Sequence, residues 1–311
     1  MKNRIARALS FGALIIVGGC SSVVDPVDPS GGPGAGGSGP TGATTGAGQG
    51  TGGQGAGGSS NQGEWTSLIT AEWGLEPGTE LTNDLHQLMV DRDIYIGGIR
   101  PIGPTGTHHT VLAIGDLGAG NIIYASGLGT NAVMFPKGVG LKVSAGETLV
   151  LQLHLFNPTS DVLKGTSGIE IIEVKPEDLE QEADIILPGP IDFNIPPNAK
   201  YSHSGTCTVG ATQNLFALFP HMHQLGSHLM TTLTIGGKES VIHDGDYSFD
   251  HQAFLSFEPI TMNAGDTIKT ECTWDNTTPQ NVTWGESSTT EMCFSILYRY
   301  PAQQQGSFCT K

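Results

Sequence analysis

The sequence predicts an all-β protein with two antiparallel, jelly-roll-like β-sandwich domains in tandem after a disordered tether. Three observations support this prediction. From about residue 64 onward, short runs of apolar residues alternate with polar ones, as in β-strands. Residues typical of turns interrupt these runs about every 8–12 residues. The segment before residue 64 is dominated by Gly. Runs of this length and spacing are typical of sandwiches and barrels.

The predicted strands follow one another between recognisable breaks. Examples are residues 149–156, 215–219, 229–235, 267–274 and 291–300, separated by turns such as Gly236-Gly237 and Ala264-Gly265-Asp266. Helical periodicity is scarce, and only residues 176–182 could form one short turn of helix. Roughly 248 residues exceed one typical sandwich. We therefore expect one domain over residues 64–182 and a second over residues 183–311.

The N-terminus has the features of an export signal. Lys2, Arg4 and Arg7 precede an apolar run over residues 9–17, which is too short to span a bilayer as a stable helix. Small residues then lead to Cys20 and resemble a bacterial lipoprotein box. We expect a signal peptide over residues 1–19, cleavage before Cys20 and a lipid on its sulfur. The alternative is an ordinary signal peptide in which the Cys is incidental.

Residues 20–63 should form a flexible linker. Of the 33 residues from 31 to 63, 16 are Gly, and large apolar side chains are almost absent. Such a segment cannot bury enough surface to offset the entropy of ordering it. We expect a lipid-anchored head, in the outer membrane or at the cell surface, whose only membrane contact is its anchor.

The charge balance excludes nucleic-acid binding. The chain has 14 basic and 30 acidic residues, a net charge of −16. Removal of the signal peptide leaves 11 basic residues and a net charge of −19. A surface this acidic repels phosphate.

Four cysteines beyond Cys20 lie in the second half of the chain. An exported chain with four such residues is expected to form two disulfides, with three possible pairings. If residues 267–274 and 291–300 paired as a hairpin, Cys272 would lie opposite Cys293. That pairing would leave Cys207 for Cys309.

Histidines supply the strongest chemical signal. His221 and His223 are two residues apart, so on a strand both imidazoles point to the same face. His154 shares a strand face with Gln152, opposite a row of leucines. His108 and His109 are adjacent and would point apart on a regular strand. Both can reach one metal only if the chain bends there, which the Gly and Pro residues just before them allow.

A methionine narrows the choice of metal. Imidazole suits copper, zinc, iron or nickel, but a thioether beside two imidazoles favours copper. Met292 lies on the strand face opposite Cys293. An ordinary role for this residue would be core packing.

These motifs, in this order and spacing, resemble the copper type II, ascorbate-dependent monooxygenases over about residues 94–309. The family includes peptide- and dopamine-hydroxylating enzymes. The matching stretches are Thr107-His108-His109, Phe135-Pro136-Lys137-Gly138-Val139-Gly140, Leu151-Gln152-Leu153-His154, His221-Met222-His223-Gln224-Leu225-Gly226, Glu291-Met292-Cys293 and Tyr298-Arg299-Tyr300-Pro301.

The resemblance implies two copper-binding sandwiches that face each other across an open cleft. It assigns an electron-transfer copper to His108, His109 and His154. It assigns an oxygen-binding, catalytic copper to His221, His223 and Met292. It also implies the disulfides Cys272–Cys293 and Cys207–Cys309. The implied reaction inserts one atom of O2 into a C–H bond with two electrons, usually from ascorbate.

Three positions depart from the peptide-hydroxylating members, which hold a substrate carboxylate with Arg, Asn and Tyr. Here those positions are Phe219, Phe294 and Ile296. The departures argue against peptide amidation and favour a small or apolar substrate.

Two hypotheses follow from the sequence. The first is a monomeric monooxygenase with two coppers per chain, whose partners are O2, a reductant such as ascorbate and a small-molecule substrate. The alternative is a non-catalytic surface protein that binds copper for capture or interaction.

Overall fold

A computed structural model describes residues 59–287, 289–304 and 306–310, all within one compact unit. The expected signal peptide, the expected lipid on Cys20 and the linker up to residue 58 lie outside the described residues. Among the described residues, no helix has the length and apolar character needed to cross a bilayer.

The described fold is built from twenty β-strands, which confirms the all-β prediction. Strands of the first half are β1 (Thr66–Leu75), β2 (Glu80–Met89), β3 (Ile94–Ile102), β4 (Thr107–Ile114), β5 (Ile122–Ser126), β6 (Val133–Met134), β7 (Val139–Val143), β8 (Thr148–Phe156) and β9 (Leu163–Glu173). Strands of the second half are β10 (Gln181–Pro188), β11 (Asn194–Ile195), β12 (Ala199–Thr208), β13 (Gln213–Met222), β14 (Gly226–Ile235), β15 (Lys238–Asp246), β16 (Leu255–Met262), β17 (Thr267–Asn276), β18 (Val282–Thr283), β19 (Cys293–Tyr300) and β20 (Ser307–Cys309). Two short 3-10 turns, Ala119–Asn121 and Pro176–Asp178, are the helical elements of this described part.

Each half packs two sheets face to face. In the first half, a sheet ordered β2-β8-β4-β5 packs on the strands β1-β9-β3-β7. Alternate residues of β8, such as Leu151 and Leu153, are fully buried and share one core cluster with Trp73 and Leu75 of β1. In the second half, the sheet β12-β17-β14-β15 packs on β10-β19-β13-β16 through residues such as Leu233 and Leu297. The alternating apolar pattern therefore forms the interiors of both sandwiches.

One strand joins the two halves. β10 pairs in parallel with β7 of the first half and antiparallel with β19 of the second, so a single ten-stranded sheet runs through both. The expected boundary between residues 182 and 183 falls inside β10. The division into two domains stays a prediction.

The folded part begins earlier than residue 64. Asn61 is buried, its side-chain amide donates to the carbonyl of Val139 at 2.8 Å, and its carbonyl accepts from the Gly138 N–H at 2.9 Å. A polar side chain with both ends bonded fits a buried site. The last residues assigned to the linker therefore belong to the sandwich.

Residues 267–274 and 291–300 do not pair as a hairpin, the arrangement considered for the cysteines. β17 pairs with β12 and β14, whereas β19 pairs with β10 and β13 in the facing sheet. The disulfides Cys272–Cys293 and Cys207–Cys309 nevertheless both form. The first connects the two sheets of the second sandwich instead of neighbouring strands.

Candidate metal centres

A cluster of three imidazoles lies on the sheet of β4 and β8. The Nδ1 atom of His154 is 3.3 Å from the Nδ1 of His108 and 3.3 Å from the Nδ1 of His109. Metal–imidazole bonds of about 2.0–2.1 Å in a tetrahedral arrangement place neighbouring nitrogens about 3.3 Å apart. The donor set and its spacing therefore fit a bound metal ion.

A β-bulge explains how adjacent histidines reach the same point. The register between β4 and β8 shifts between Thr107 and His109, so His108 is the extra residue of the bulge. Gly106 precedes it with a φ of 104°, and a Cβ there would lie 2.6 Å from the Trp73 ring. The bend that the sequence required is thus present, and it depends on a glycine.

The outer nitrogens of the three rings each meet an oxygen. His154 Nε2 is 2.7 Å from the Glu80 carboxylate, His109 Nε2 is 3.2 Å from the carbonyl of Phe249, and His108 Nε2 is 3.4 Å from the Asp250 carboxylate. Such outer contacts fix the orientation and tautomer of metal-binding imidazoles. They leave Nδ1 as the metal-binding atom of each ring.

Burial favours the neutral form of two imidazoles of this cluster, His108 and His109. Burial, followed by the neighbouring His108, lowers the pKa of His109 to about 4. Burial also lowers the pKa of His108, helped by His154. Neutral imidazoles are the form that binds metals.

A second pair of imidazoles lies at the end of β13. The rings of His221 and His223 have centroids 5.3 Å apart. His221 Nδ1 is 3.0 Å from the Gln252 side-chain oxygen, and His223 Nδ1 is 2.9 Å from the carbonyl of Thr290. Nε2 is therefore the atom that each ring can offer to a metal. Burial lowers the pKa of His221 to about 4.

Met292 joins this pair, lining the same cleft as His221 and His223. It is buried, and both of its neighbours in the chain are fixed. The carboxylate of Glu291 accepts hydrogen bonds from the N–H groups of His223 at 3.0 Å and Leu225 at 2.7 Å. Cys293 carries the disulfide to β17. Met292 is thus positioned between a buried carboxylate and a covalent link.

The segment 249–252 lies between the two clusters and contacts both of them. The Phe249 ring is 5.0 Å from His109 and 6.2 Å from His223, measured between centroids. Asp250 and Gln252 contact one cluster each, as described above. No histidine spacing or motif marks these residues, because they reach the clusters only through the tertiary fold.

One cleft of about 460 Å³ is lined by His109 and His154 of the first cluster and by His221, His223 and Met292, with Gln152 on its wall. Gln152 also donates to the side chain of Asn83 at 2.8 Å. An apolar cavity of about 90 Å³ adjoins the cleft at His221 and Met292. Phe219, Phe294 and Ile296, the three departures noted in the sequence, all line this cavity.

Comparison with known proteins identifies the second half of the chain. Residues 181–311 match the family model for the C-terminal domain of copper type II ascorbate-dependent monooxygenases. This range contains His221, His223 and Met292.

Curated relatives extend the match over about 200 residues. The chain is 31% identical over 205 residues to a tyramine beta-hydroxylase of Caenorhabditis briggsae, covering 59% of this chain and 34% of that protein. It is 29% identical over 203 residues to the DBH-like monooxygenase protein 1 of Gallus gallus, covering 58% and 33%. It is 27% identical over 206 residues to a dopamine beta-hydroxylase of Canis lupus familiaris, covering 59% and 32%.

The chain spans about a third of the length of these relatives. The matched range and the two histidine clusters agree on one family. The second half of the chain, residues 181–311, therefore carries the C-terminal domain of the copper type II, ascorbate-dependent monooxygenase family.

Proposed function

We propose that this protein is a copper-dependent monooxygenase that hydroxylates a small or apolar substrate. The overall reaction consumes the substrate R–H, O2, two electrons and two protons, and yields R–OH and water. Ascorbate or a similar reductant supplies the electrons. Two coppers per chain would each store one electron, and the one beside Met292 would activate O2.

One observation carries this proposal: a single cleft presents two different donor sets. His108, His109 and His154 offer three imidazoles, and two of them, His109 and His154, line the cleft. His221, His223 and Met292, which also line it, offer two imidazoles and a thioether. Simple copper capture would not require two chemically distinct sites in one cleft. A division between electron storage and oxygen chemistry does require them.

Residues next to the donor groups hold them in position at both sites. Glu80, Asp250 and Gln252 orient imidazoles through their outer nitrogens. Glu291 and the Cys272–Cys293 disulfide hold the segment that carries Met292. Phe219, Phe294 and Ile296 give an apolar wall with no counter-charge for a carboxylate, which argues against peptide amidation.

Export and a lipid on Cys20 belong to the same proposal and are supported by the sequence features of the N-terminus. A reductant and O2 would reach a tethered head at the cell surface from the surrounding medium.

Copper content and oxygen chemistry together test the proposal. We expect two coppers per chain by elemental analysis, ascorbate-dependent O2 consumption, and products heavier by one oxygen atom in a substrate screen. With 18O2, the added atom should carry the label.

A variant series assigns the two sites. Met292→Ala should retain one copper and lose oxygen chemistry. His203→Ala is the matched control, since His203 pairs with Asp192 at 3.2 Å outside both clusters. It should keep two coppers and full activity. Two coppers that never reduce O2 under any reductant would contradict the enzyme and favour the copper-binding alternative.

A further inference from the structure

A continuous series of hydrogen bonds connects the two histidine clusters. Nε2–H of His109 in the first cluster donates to the main-chain carbonyl of Phe249 at 3.2 Å. The side-chain amide of Gln252 donates to the same carbonyl at 2.8 Å, and its oxygen accepts from Nδ1–H of His221 in the second cluster at 3.0 Å. Three hydrogen bonds, here called the Gln252 bridge, therefore join a ring of one candidate metal site to a ring of the other.

The bridge allows one arrangement of protons. A main-chain carbonyl only accepts hydrogen bonds, so the side-chain nitrogen of Gln252 faces Phe249 and its oxygen faces His221. His221 then carries its proton on Nδ1, and His109 carries its proton on Nε2. Each ring keeps its other nitrogen for the cluster, so the bridge is compatible with a metal at both sites.

The first half of the chain holds the segment that forms the bridge. In the loop after β5, the Leu128 N–H donates to the carbonyl of Asp250 at 2.9 Å, and the Thr130 hydroxyl donates to the carbonyl of Gln252. A Cβ on Gly127 would lie 2.8 Å from the Asp250 carbonyl oxygen, so this close approach depends on a glycine. The second half thus supplies the bridging segment, and the first half fixes its main chain.

Gln252 has little freedom to move independently of either cluster. Its side chain is buried, and both the nitrogen and the oxygen of its amide are hydrogen-bonded within the bridge. Buried polar groups that lose a partner destabilise the fold, so a displacement of the Phe249 carbonyl must be followed by the Gln252 amide. The orientation of the His221 ring therefore depends on that of His109.

A metal at one cluster would restrict the whole bridge. Metal binding at Nδ1 fixes the His109 ring, and through it the Phe249 carbonyl and the Gln252 amide. The amide then orients His221 before a second metal binds, so the second site has less conformational entropy to lose. Thermodynamic linkage requires an equal effect in the opposite direction.

We propose that Gln252 is a positioning residue that couples the two copper sites, so that copper at either site tightens copper binding at the other. This inference rests on the proposed function, because it requires that both sites bind copper. Its consequence is that chains carry either no copper or two. Chains with a single copper, which store one electron of the two that the reaction needs, become rare.

Titration with Cu(I) against a competing chelator measures the coupling. The full chain is titrated under argon with ascorbate, which keeps copper as Cu(I) and prevents turnover. Met292→Ala gives the binding constant of the first site alone, and His154→Ala gives that of the second. The coupling factor is the overall constant for loading both sites of the parent chain, divided by the product of these two constants.

Two substitutions of Gln252 break the bridge at different bonds. Gln252→Glu, ionised at neutral pH, keeps an oxygen for His221 but cannot donate to the Phe249 carbonyl, whereas Gln252→Ala loses both bonds. Each is combined with the parent chain and with both single-site variants. Each should lower the coupling factor about 5-fold or more. The repulsion between two bound cations acts in every version and cancels in this comparison.

The affinity of the second site alone separates coupling from local support. Gln252→Ala should weaken that site about 10- to 100-fold, because His221 loses its outer partner. Gln252→Glu should retain the affinity and still lose the coupling. A residue that only supported His221 would instead leave the coupling factor unchanged in both variants.

Gln152→Ala is the matched control. Gln152 lines the same cleft, but its side-chain amide donates to Asn83 at 2.8 Å and takes no part in the bridge. Its removal should leave the coupling factor at the value of the parent chain. An unchanged factor in Gln252→Glu, or an equal fall in Gln152→Ala, would overturn the proposal.

The outcomes separate the two proposals. Oxygen insertion with an unchanged coupling factor in both Gln252 variants would refute the coupling and leave the monooxygenase standing. A lowered factor in these variants, without oxygen insertion into any substrate, would refute the monooxygenase and leave a coupled copper-binding protein. A parent chain that binds fewer than two coppers would refute both.

Discussion

A single oxygen atom, from a side chain or from the main chain, orients each imidazole in the two clusters. Each ring uses one nitrogen toward the cluster and the other toward an oxygen of Glu80, Phe249, Asp250, Gln252 or Thr290. In the first cluster the inner atom is Nδ1, and in the second it is Nε2. The two sites therefore differ in ring orientation as well as in the thioether.

Removal of one orienting carboxylate should weaken one site. Glu80→Ala should lower the copper affinity of the three-histidine cluster about 10- to 100-fold, because the His154 ring loses its outer partner. Copper titration of the variant in competition with a chelator measures this. Asp84→Ala is the control on the same strand, since Asp84 pairs with His86 at 3.0 Å outside both clusters. Equal copper affinities in the two variants would contradict an orienting role for Glu80.

The sequence predicted the inner residues of the site better than the outer ones. Strand alternation places His221 and His223 on one face, and a bend before His108 was required on geometric grounds. Glu80 and Phe249 were not predicted, because they meet His154 and His109 across 74 and 140 residues of chain. Local spacing carries no information on such contacts.

At the level of strands, the second sandwich shows how a correct pairing can follow from a wrong arrangement. A hairpin of residues 267–274 and 291–300 would place Cys272 opposite Cys293, but β17 and β19 belong to different sheets. Alternating apolar residues identify a strand and its buried face, not its neighbour. The Cys272–Cys293 disulfide therefore connects the two sheets of this sandwich at the residue that follows Met292 in the chain.

This position predicts a local effect of the disulfide on the metal site. Cys272→Ala with Cys293→Ala should lower the free energy of unfolding by about 3 kcal/mol and weaken copper binding at His221, His223 and Met292. Urea unfolding and copper titration measure the two effects.

The second disulfide provides the matched control. It closes a chain segment of 102 residues instead of 21, so its removal should cost more stability, about 4–5 kcal/mol. Copper affinity should hardly change in Cys207→Ala with Cys309→Ala. Weaker copper binding in both double variants would show a general loss of folding instead of a local effect.

At the scale of the described fold, one sheet and one large core hold the two halves together. β10 pairs with both halves, and the largest buried cluster contains Leu151 and Ile169 of the first half as well as Phe219 and Phe254 of the second. The hydroxyl of Tyr298 in the second half also donates a hydrogen bond to the carbonyl of Ile123 in the first half. The sequence predicted two sandwiches. It did not predict that β7 and β10 pair in parallel, because no local sequence pattern identifies the partner of a strand.

Separate expression of the halves should fail. Fragments 64–182 and 183–311 would each expose part of the shared core and split β10, so we expect poorly dispersed NMR spectra from each alone. Coexpression of both fragments should restore a folded complex, which size-exclusion chromatography would detect. A well-dispersed spectrum from either isolated fragment would contradict the shared core.

The shared strand also has a consequence for the timing of catalysis. Many enzymes bring two domains together in each cycle, and that closure can limit their rate. Here hydrogen bonds of one sheet and a continuous core set the separation of the two histidine clusters. In a working monooxygenase, electrons would then cross a gap of constant width, and the slow step would lie in chemistry or product release.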